Sequence, residues 1–255
     1  MLNDLLAKLR PIIEEAGRET MRFYDAPEAT WKEDGSPVTA ADTAAEAIIL
    51  PALRALTPDI PVISEEEAAA GLSPELRHGR FWLVDPLDGT KEFIKKNGEF
   101  TVNIALIDDG VPVLGLVHSP VTGDTYMAAG AGTAQLAAAG GEPKRISARK
   151  PPAEGLTVVA SRSHGGGPEL DAFLAKFKIN ELRSAGSSVK LCLVARGEAD
   201  IYPRLGTTME WDIAAGHAVL LGAGGRIETE AGEPFLYGKP DFRNPHFIAF
   251  GAWDA

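Results

Sequence analysis

The apolar run Phe81-Trp82-Leu83-Val84 passes directly into Asp85-Pro86-Leu87-Asp88-Gly89-Thr90, and this junction constrains the fold more than any other stretch. A buried strand that stops at acid delivers carboxylates to its end. Two carboxylates held close together repel strongly unless something positive lies between them. A hard divalent ion such as Mg2+ meets that need with oxygen ligands, and Pro86 and Gly89 shape the turn so that the Leu87 carbonyl can face the same ion. Gly89-Thr90-Lys91-Glu92-Phe93 then reads as a helix start whose free N–H groups cradle a phosphate. Asp-Pro and Asp-Gly are also common turn dipeptides, so a plain turn competes as the reading of this hexapeptide alone.

Three further acids carry weaker signals. Pro61-Val62-Ile63 ends in Ser64-Glu65-Glu66-Glu67, either a second strand delivering a carboxylate or a solvated helix N-terminus that complements the dipole. Asp42 follows Thr39 at the spacing of a capping box, which explains both residues without chemistry. Asp212, in Trp211-Asp212-Ile213-Ala214-Ala215-Gly216, opens an apolar helix of small residues, where capping again suffices. Only together do these acids suggest a site.

Along the chain, Leu2, Leu5, Leu6, Leu9, Ile13 and Ala16 recur at helical spacing, predicting an amphipathic helix that kinks or restarts at Pro11. A second helix is expected from the Thr39 cap through Ile48, Ile49 and Leu53 to about Thr57-Pro58. Thr101 to Ile107 and Val111 to Val117 flank Asp108-Asp109-Gly110, a hairpin pattern in the same sheet as the acid-bearing strands. Gly140 to Gly155 lacks periodicity and precedes a fresh strand at Leu156 to Ala160, which places a boundary between halves 1–145 and 146–255. Beyond it, helices at Glu169 to Phe177, Ser188 to Ala195 and Ile213 to Leu221 interleave with strands at Ala199 to Tyr202, Gly225 to Glu228 and Phe247 to Phe250. That alternation indicates a mixed α/β half.

The formal net charge of -11 argues against a nucleic-acid or anionic-membrane surface, since those partners select patches of Lys and Arg. An anionic substrate would need bound cations. The lone Cys192 cannot form an internal disulfide, and no leader pattern opens the chain, so a reducing cytoplasm is expected. No apolar run approaches the roughly 20 residues of a membrane span.

Taken together, the segments Asp85 to Thr90 and Trp211 to Gly225 resemble the two fingerprints of the inositol monophosphatase-like metal-dependent phosphatases. Asp85 to Ile94, with Asn97-Gly98-Glu99-Phe100-Thr101-Val102-Asn103, most resembles the branch of CysQ-type 3'(2'),5'-bisphosphate nucleotidases. Ser161-Arg162-Ser163-His164 and Gly186-Ser187-Ser188-Val189-Lys190 are similar to that branch's nucleotide-side motifs. The resemblance runs from about Ser36 to Asn244. It implies a layered αβαβα sandwich of two closely packed halves, with Glu65, Asp85, the Leu87 carbonyl, Asp88 and Asp212 holding two or three Mg2+ ions. It further implies in-line attack by metal-activated water, oriented by Thr90 and Asp42 with Glu65 also catalytic, while the Gly89 and Thr90 N–H groups hold the phosphate.

The substrate the resemblance implies is adenosine 3',5'-bisphosphate, cleaved to AMP, with 3'-phosphoadenylyl sulfate second, a link to sulfur assimilation. Lys190 and Arg204 are the candidates for its second anion, Ser187 for a hydrogen bond, and His164 for the base or sugar; Glu65, Leu87, Asp88, Gly89, Thr90 and Asp212 complete the substrate contacts. A solvated face for Lys190 and a surface ion pair for Arg204 compete with those roles. Inositol monophosphate, histidinol phosphate or fructose 1,6-bisphosphate on the same scaffold is the nearest alternative. A non-catalytic nucleotide or cation binder is the alternative from another class. Lithium sensitivity is expected by the same resemblance. Oligomeric state is left open, a homodimer being one option, as is peripheral contact with the cytoplasmic face of an inner membrane.

Overall fold

The computed structural model describes residues 2–32, 37–74, 76, 79–161 and 167–253. Two helices open the fold, α1 (Leu2–Met21) and α2 (Ala40–Leu56), with an antiparallel ribbon of β1 (Ala29–Trp31) and β2 (Pro37–Thr39) between them. There follow β3 (Val62–Ser64), α3 (Glu65–Ala69), β4 (Arg80–Asp88), α4 (Thr90–Ile94), β5 (Thr101–Asp108), β6 (Val111–Ser119), β7 (Asp124–Ala128), β8 (Gln135–Ala137) and β9 (Lys144–Arg145). The remainder comprises β10 (Leu156–Ser161), α5 (Pro168–Leu174), β11 (Ile179–Ala185), α6 (Val189–Ala195), β12 (Ile201–Arg204), α7 (Glu210–Gly222), β13 (Arg226–Thr229) and β14 (Phe247–Phe250).

Strands β3 to β9 form one sheet in sequence order, antiparallel except for the parallel pair β3/β4. The second sheet runs β11-β10-β12-β14-β13, with β11, β10 and β12 parallel. Alternation along β4 shows how the layers stack. Phe81 and Leu83 pack with α6, α7 and inward residues of the second sheet such as Val159 and Phe247. Trp82 and Val84 point the other way, onto α1 and α2 through Leu9, Ile13, Ile49 and Leu53. On the far side of the second sheet, Phe173 and Leu174 of α5 meet Val158, Ile201 and Ile248. The order is therefore helices, sheet, helices, sheet, helix: the αβαβα sandwich. Each large apolar side chain buried in this way contributes about 1.5 to 3 kcal/mol. The Trp82 indole N–H also donates to Thr57 Oγ1, at 2.9 Å.

The opening helix differs from expectation, since α1 continues through Pro11 to Met21 with no restart. Pro11 lies on the solvent face, and so does Ala7, whose carbonyl loses its partner at i+4 and is left to water. Pro51 inside α2 and the exposed Ala47 repeat the arrangement. No helix among the described residues is long and apolar enough to cross a membrane.

Candidate active site

Side chains on an unbroken strand alternate, so Asp85 and Asp88 should face opposite sides of the sheet. They do not, because the β4/β5 register shifts between them: Asp85 pairs with Asn103 and Asp88 with Thr101. Three steps on β4 thus match two on β5, and this bulge turns both carboxylates to one face. The parallel pairing of Ser64 with Val84 brings Glu65 off the end of β3 at the level of Asp85. Asp212 arrives from the first turn of α7. Carboxylate oxygens of Glu65, Asp85 and Asp212 lie within 4.8 Å of one another, the group among the described residues that could hold a metal.

Burial raises the Asp85 carboxyl well above the usual carboxylate range, and the neighbouring Glu65, Asp88 and Asp212 raise it further. Asp212 is raised well above that range too, by burial and then by Asp88 and Glu65. Asp88 rises to about 6 through burial, opposed by the Lys190 charge and the Ser188 N–H, which donates to it. Ligand oxygens about 2.1 Å from a Mg2+ ion stand roughly 3 to 4 Å apart, so this all-oxygen set fits such an ion after a small contraction. Lys32 reaches the cluster from the end of β1, its Nζ 2.7 Å from Glu65 Oε1 and 2.7 Å from Glu66 Oε1. Burial lowers its pKa, but the pairing with Glu65 and Glu66 outweighs this and the net shift is upward.

Asp42 is buried and takes the capping box expected of it: the Thr39 N–H and hydroxyl both donate to Oδ2, at 2.8 and 2.7 Å. Burial pushes its carboxyl up to about 7 against those bonds. The Thr90 hydroxyl donates to the Leu87 carbonyl at 3.4 Å, and no described hydrogen bond joins Thr90 to Asp42. The Leu87 N–H donates to Asp85 Oδ1 at 3.0 Å, closing the turn. Gly89, at φ 94°, takes the left-handed conformation that starts α4.

Beside the cluster lies a cavity of about 130 Å³ lined by Asp88, Gly89, Ser187, Lys190, Arg204 and Asp212. Lys190 is not a solvated residue: it is buried, donates to the Ser187 carbonyl and lies 5.4 Å from the Tyr202 ring centre. Burial lowers its pKa to about 8, with Asp88 opposing. Arg204 is buried too; its Nη2 donates to the Thr207 carbonyl at 2.8 Å, while its Nε has no partner. Among the described residues, no ion pair engages either cation. His164, with Arg162 and Ser163, lies outside the described residues.

Several supporting residues escape sequence reasoning. The Ser188 hydroxyl donates to Asn103 Oδ1 at 2.7 Å and accepts from Thr101 Oγ1 at 2.9 Å, a buried chain under Asp88. Asn103, a polar residue inside an apolar strand, was the available signal. Glu210 is fully buried and accepts the N–H groups of Gly238 and Lys239, each at 2.9 Å, plus the Lys239 ammonium at 2.6 Å. It straps the 238–242 segment to the turn that carries Asp212. Lys32 gave no signal at all.

Residues 4–249 match the family model described as the inositol monophosphatase family, and the chain belongs to that family. Within it, the chain is 47% identical over 249 residues to the 3'(2'),5'-bisphosphate nucleotidase CysQ of Escherichia coli strain K12, covering 95% of this chain and 98% of that protein. The crystal structure of CysQ from Bacteroides thetaiotaomicron superposes with a TM-score of 0.80 at 36% identity, covering 98% of each chain. An inositol monophosphatase from Thermotoga maritima, at 23% identity and TM-score 0.76 over 98% of this chain and 92% of that one, shares the fold.

Proposed function

We propose that the protein is a Mg2+-dependent phosphatase that removes the 3'-phosphate of adenosine 3',5'-bisphosphate to give AMP, with 3'-phosphoadenylyl sulfate as a second substrate, in sulfur metabolism. The observation that carries this reading is the pair of buried cations, Lys190 and Arg204, facing the same cavity as Asp88 and Asp212. A monophosphate is met by the carboxylate cluster and its ions alone. Two further buried cations, one with an unpartnered Nε–H, suit a substrate that carries a second anion. The nucleotidases to which the chain is similar support the same choice.

In this reading Glu65, Asp85, Asp88, Asp212 and the Leu87 carbonyl hold two or three ions. Those ions would supply charge neutralisation and a lowered water pKa. The chain's own residues do the rest. Gly89 and Thr90 N–H groups, Lys190, Arg204 and Ser187 orient the two phosphates, with His164 assigned to the base or sugar. Thr90 turns its hydroxyl from the Leu87 carbonyl to Asp42, both of whose described bonds use Oδ2, and the pair orients the attacking water and carries its proton. The halves 1–145 and 146–255 belong to this proposal as the units that carry the metal loops and the nucleotide side. So do a cytoplasmic location and a homodimer as one assembly.

The test compares phosphate release from adenosine 3',5'-bisphosphate and inositol 1-phosphate, with and without Mg2+. The expected kcat/KM favours the bisphosphate at least about a hundredfold, the scale of one or two charge-assisted contacts, with no turnover in chelator. Equal or reversed preference would overturn the nucleotide assignment, and Mg2+-independent release the metal assignment.

A further inference from the structure

Trp31 and Lys32 are neighbours with opposite surroundings. Trp31, the last residue of β1, is 69% exposed, whereas the Lys32 side chain is only 13% exposed and holds Glu65 and Glu66 at once. Alternation along the ribbon therefore sends the indole outward and the ammonium into the carboxylate cluster. Glu65 is shared: one of its oxygens meets Lys32 at 2.7 Å, and its carboxylate belongs to the group with Asp85 and Asp212. Among the described residues the Glu66 carboxylate bonds Lys32 and lies outside that group. A cavity of about 600 Å³, lined by Lys32, Glu65, Trp211 and Asp212, opens beside them.

An ammonium and a divalent ion cannot share one carboxylate without strong repulsion. We infer that Lys32 is a built-in counter-cation of the carboxylate cluster, exchanged at Glu65 for a divalent ion and kept within reach by Glu66. Glu65 then turns wholly to the metal while the ammonium stays on Glu66, so the exchange strands no charge. Lys32 and Glu66 are positioning residues that set how tightly the first ion binds. This inference rests on the cluster being a Mg2+ site.

The experiment is Mg2+ titration by calorimetry, without substrate, paired with melting curves in chelator and in saturating Mg2+. Lys32→Met removes the competitor and should tighten Mg2+ binding about tenfold, while Lys32→Arg should stay within about twofold of wild type. Glu66→Gln leaves Lys32 nowhere else to go and should weaken binding by several-fold. In the Lys32→Met background, Glu66→Gln should change nothing. Lys32→Met should also melt earlier than wild type in chelator, or fold only with Mg2+, with the gap closing at saturation. Unchanged or weaker Mg2+ binding in Lys32→Met overturns the inference, and an equal loss from Glu66→Gln in both backgrounds removes Glu66 from the exchange. A wild-type protein that binds no Mg2+ would instead defeat the metal assignment itself.

Discussion

Asp42 takes both bonds from Thr39 on one oxygen, so its capping role and a catalytic role do not compete for the same atom. Asp42→Asn should then cost about 1 kcal/mol of stability through the weakened cap and, separately, about a hundredfold or more in kcat through the lost proton path. Thr90→Ala should cost a similar factor in kcat with Mg2+ affinity little changed. Because the two groups act as a unit, the double variant should be scarcely slower than either single. A double-mutant cycle on kcat beside thermal melts reads both effects, and additive losses, or near-wild-type kcat in Asp42→Asn, would return Asp42 to the cap alone. Of the residues at this centre, Glu65, Asp85 and Asp88 were legible because acids at the ends of apolar runs are costly to bury alone, whereas Asp212, explicable as a helix cap, was assigned through the family resemblance. Lys32 was not legible, and the motif residues Ser188 and Asn103 gave no sign of their bond to each other beneath Asp88. Their contacts span 33 to 100 residues of sequence, and no spacing rule reaches across a fold.

At the level of elements, patterns with two buried faces announced themselves: β4, β5, β6 and β14 appear where apolar runs predict them. The strand β11 escaped because it is an edge strand with alternating burial broken by the exposed run Leu182, Arg183 and Ser184. The bulge in β4 was equally hidden, since Asp85 to Asp88 reads as a turn after a strand, not as a continuation of one. Close packing of α7 on β6 depends on Gly115, where an added Cβ would stand 2.5 Å from the Ala215 carbonyl oxygen and 2.6 Å from Ala218 Cβ. Both obstacles are on the helix, so it must move outward. Gly115→Ala should therefore lower stability by about 1 to 3 kcal/mol, measured by urea unfolding, and also reduce kcat of the folded fraction by displacing Asp212. Full activity per folded molecule would mean that the helix yields without carrying its first turn along.

Across the whole molecule, two kinds of buried titrating group pull stability in opposite directions with pH. His217, packed on Phe235 and hydrogen-bonded to the Tyr237 hydroxyl at 3.0 Å, is held by burial at a pKa of about 3. Between that value and the ordinary 6.5 the unfolded chain binds a proton that the native one does not, so stability falls as pH falls through this window. From pH 7 to 5 the loss from His217 is about 2 kcal/mol. Asp42 and Asp88, raised to about 7 and 6, act oppositely, because the native state binds the extra proton as pH falls from about 7 toward 4. Urea unfolding of wild type and His217→Gln at pH 7 and 5, both in saturating Mg2+, isolates the histidine: the gap between them should narrow at pH 5. A gap independent of pH would show that His217 titrates normally. His217 belongs to a helix in which only Asp212 and Leu221 escape full burial, wedged between two sheets with no outward side on which its sequence could drift. One of the two fingerprint-like stretches of this chain is thus held by geometry, and loss of the acids of the cluster would leave in place the packing that constrains the rest of it.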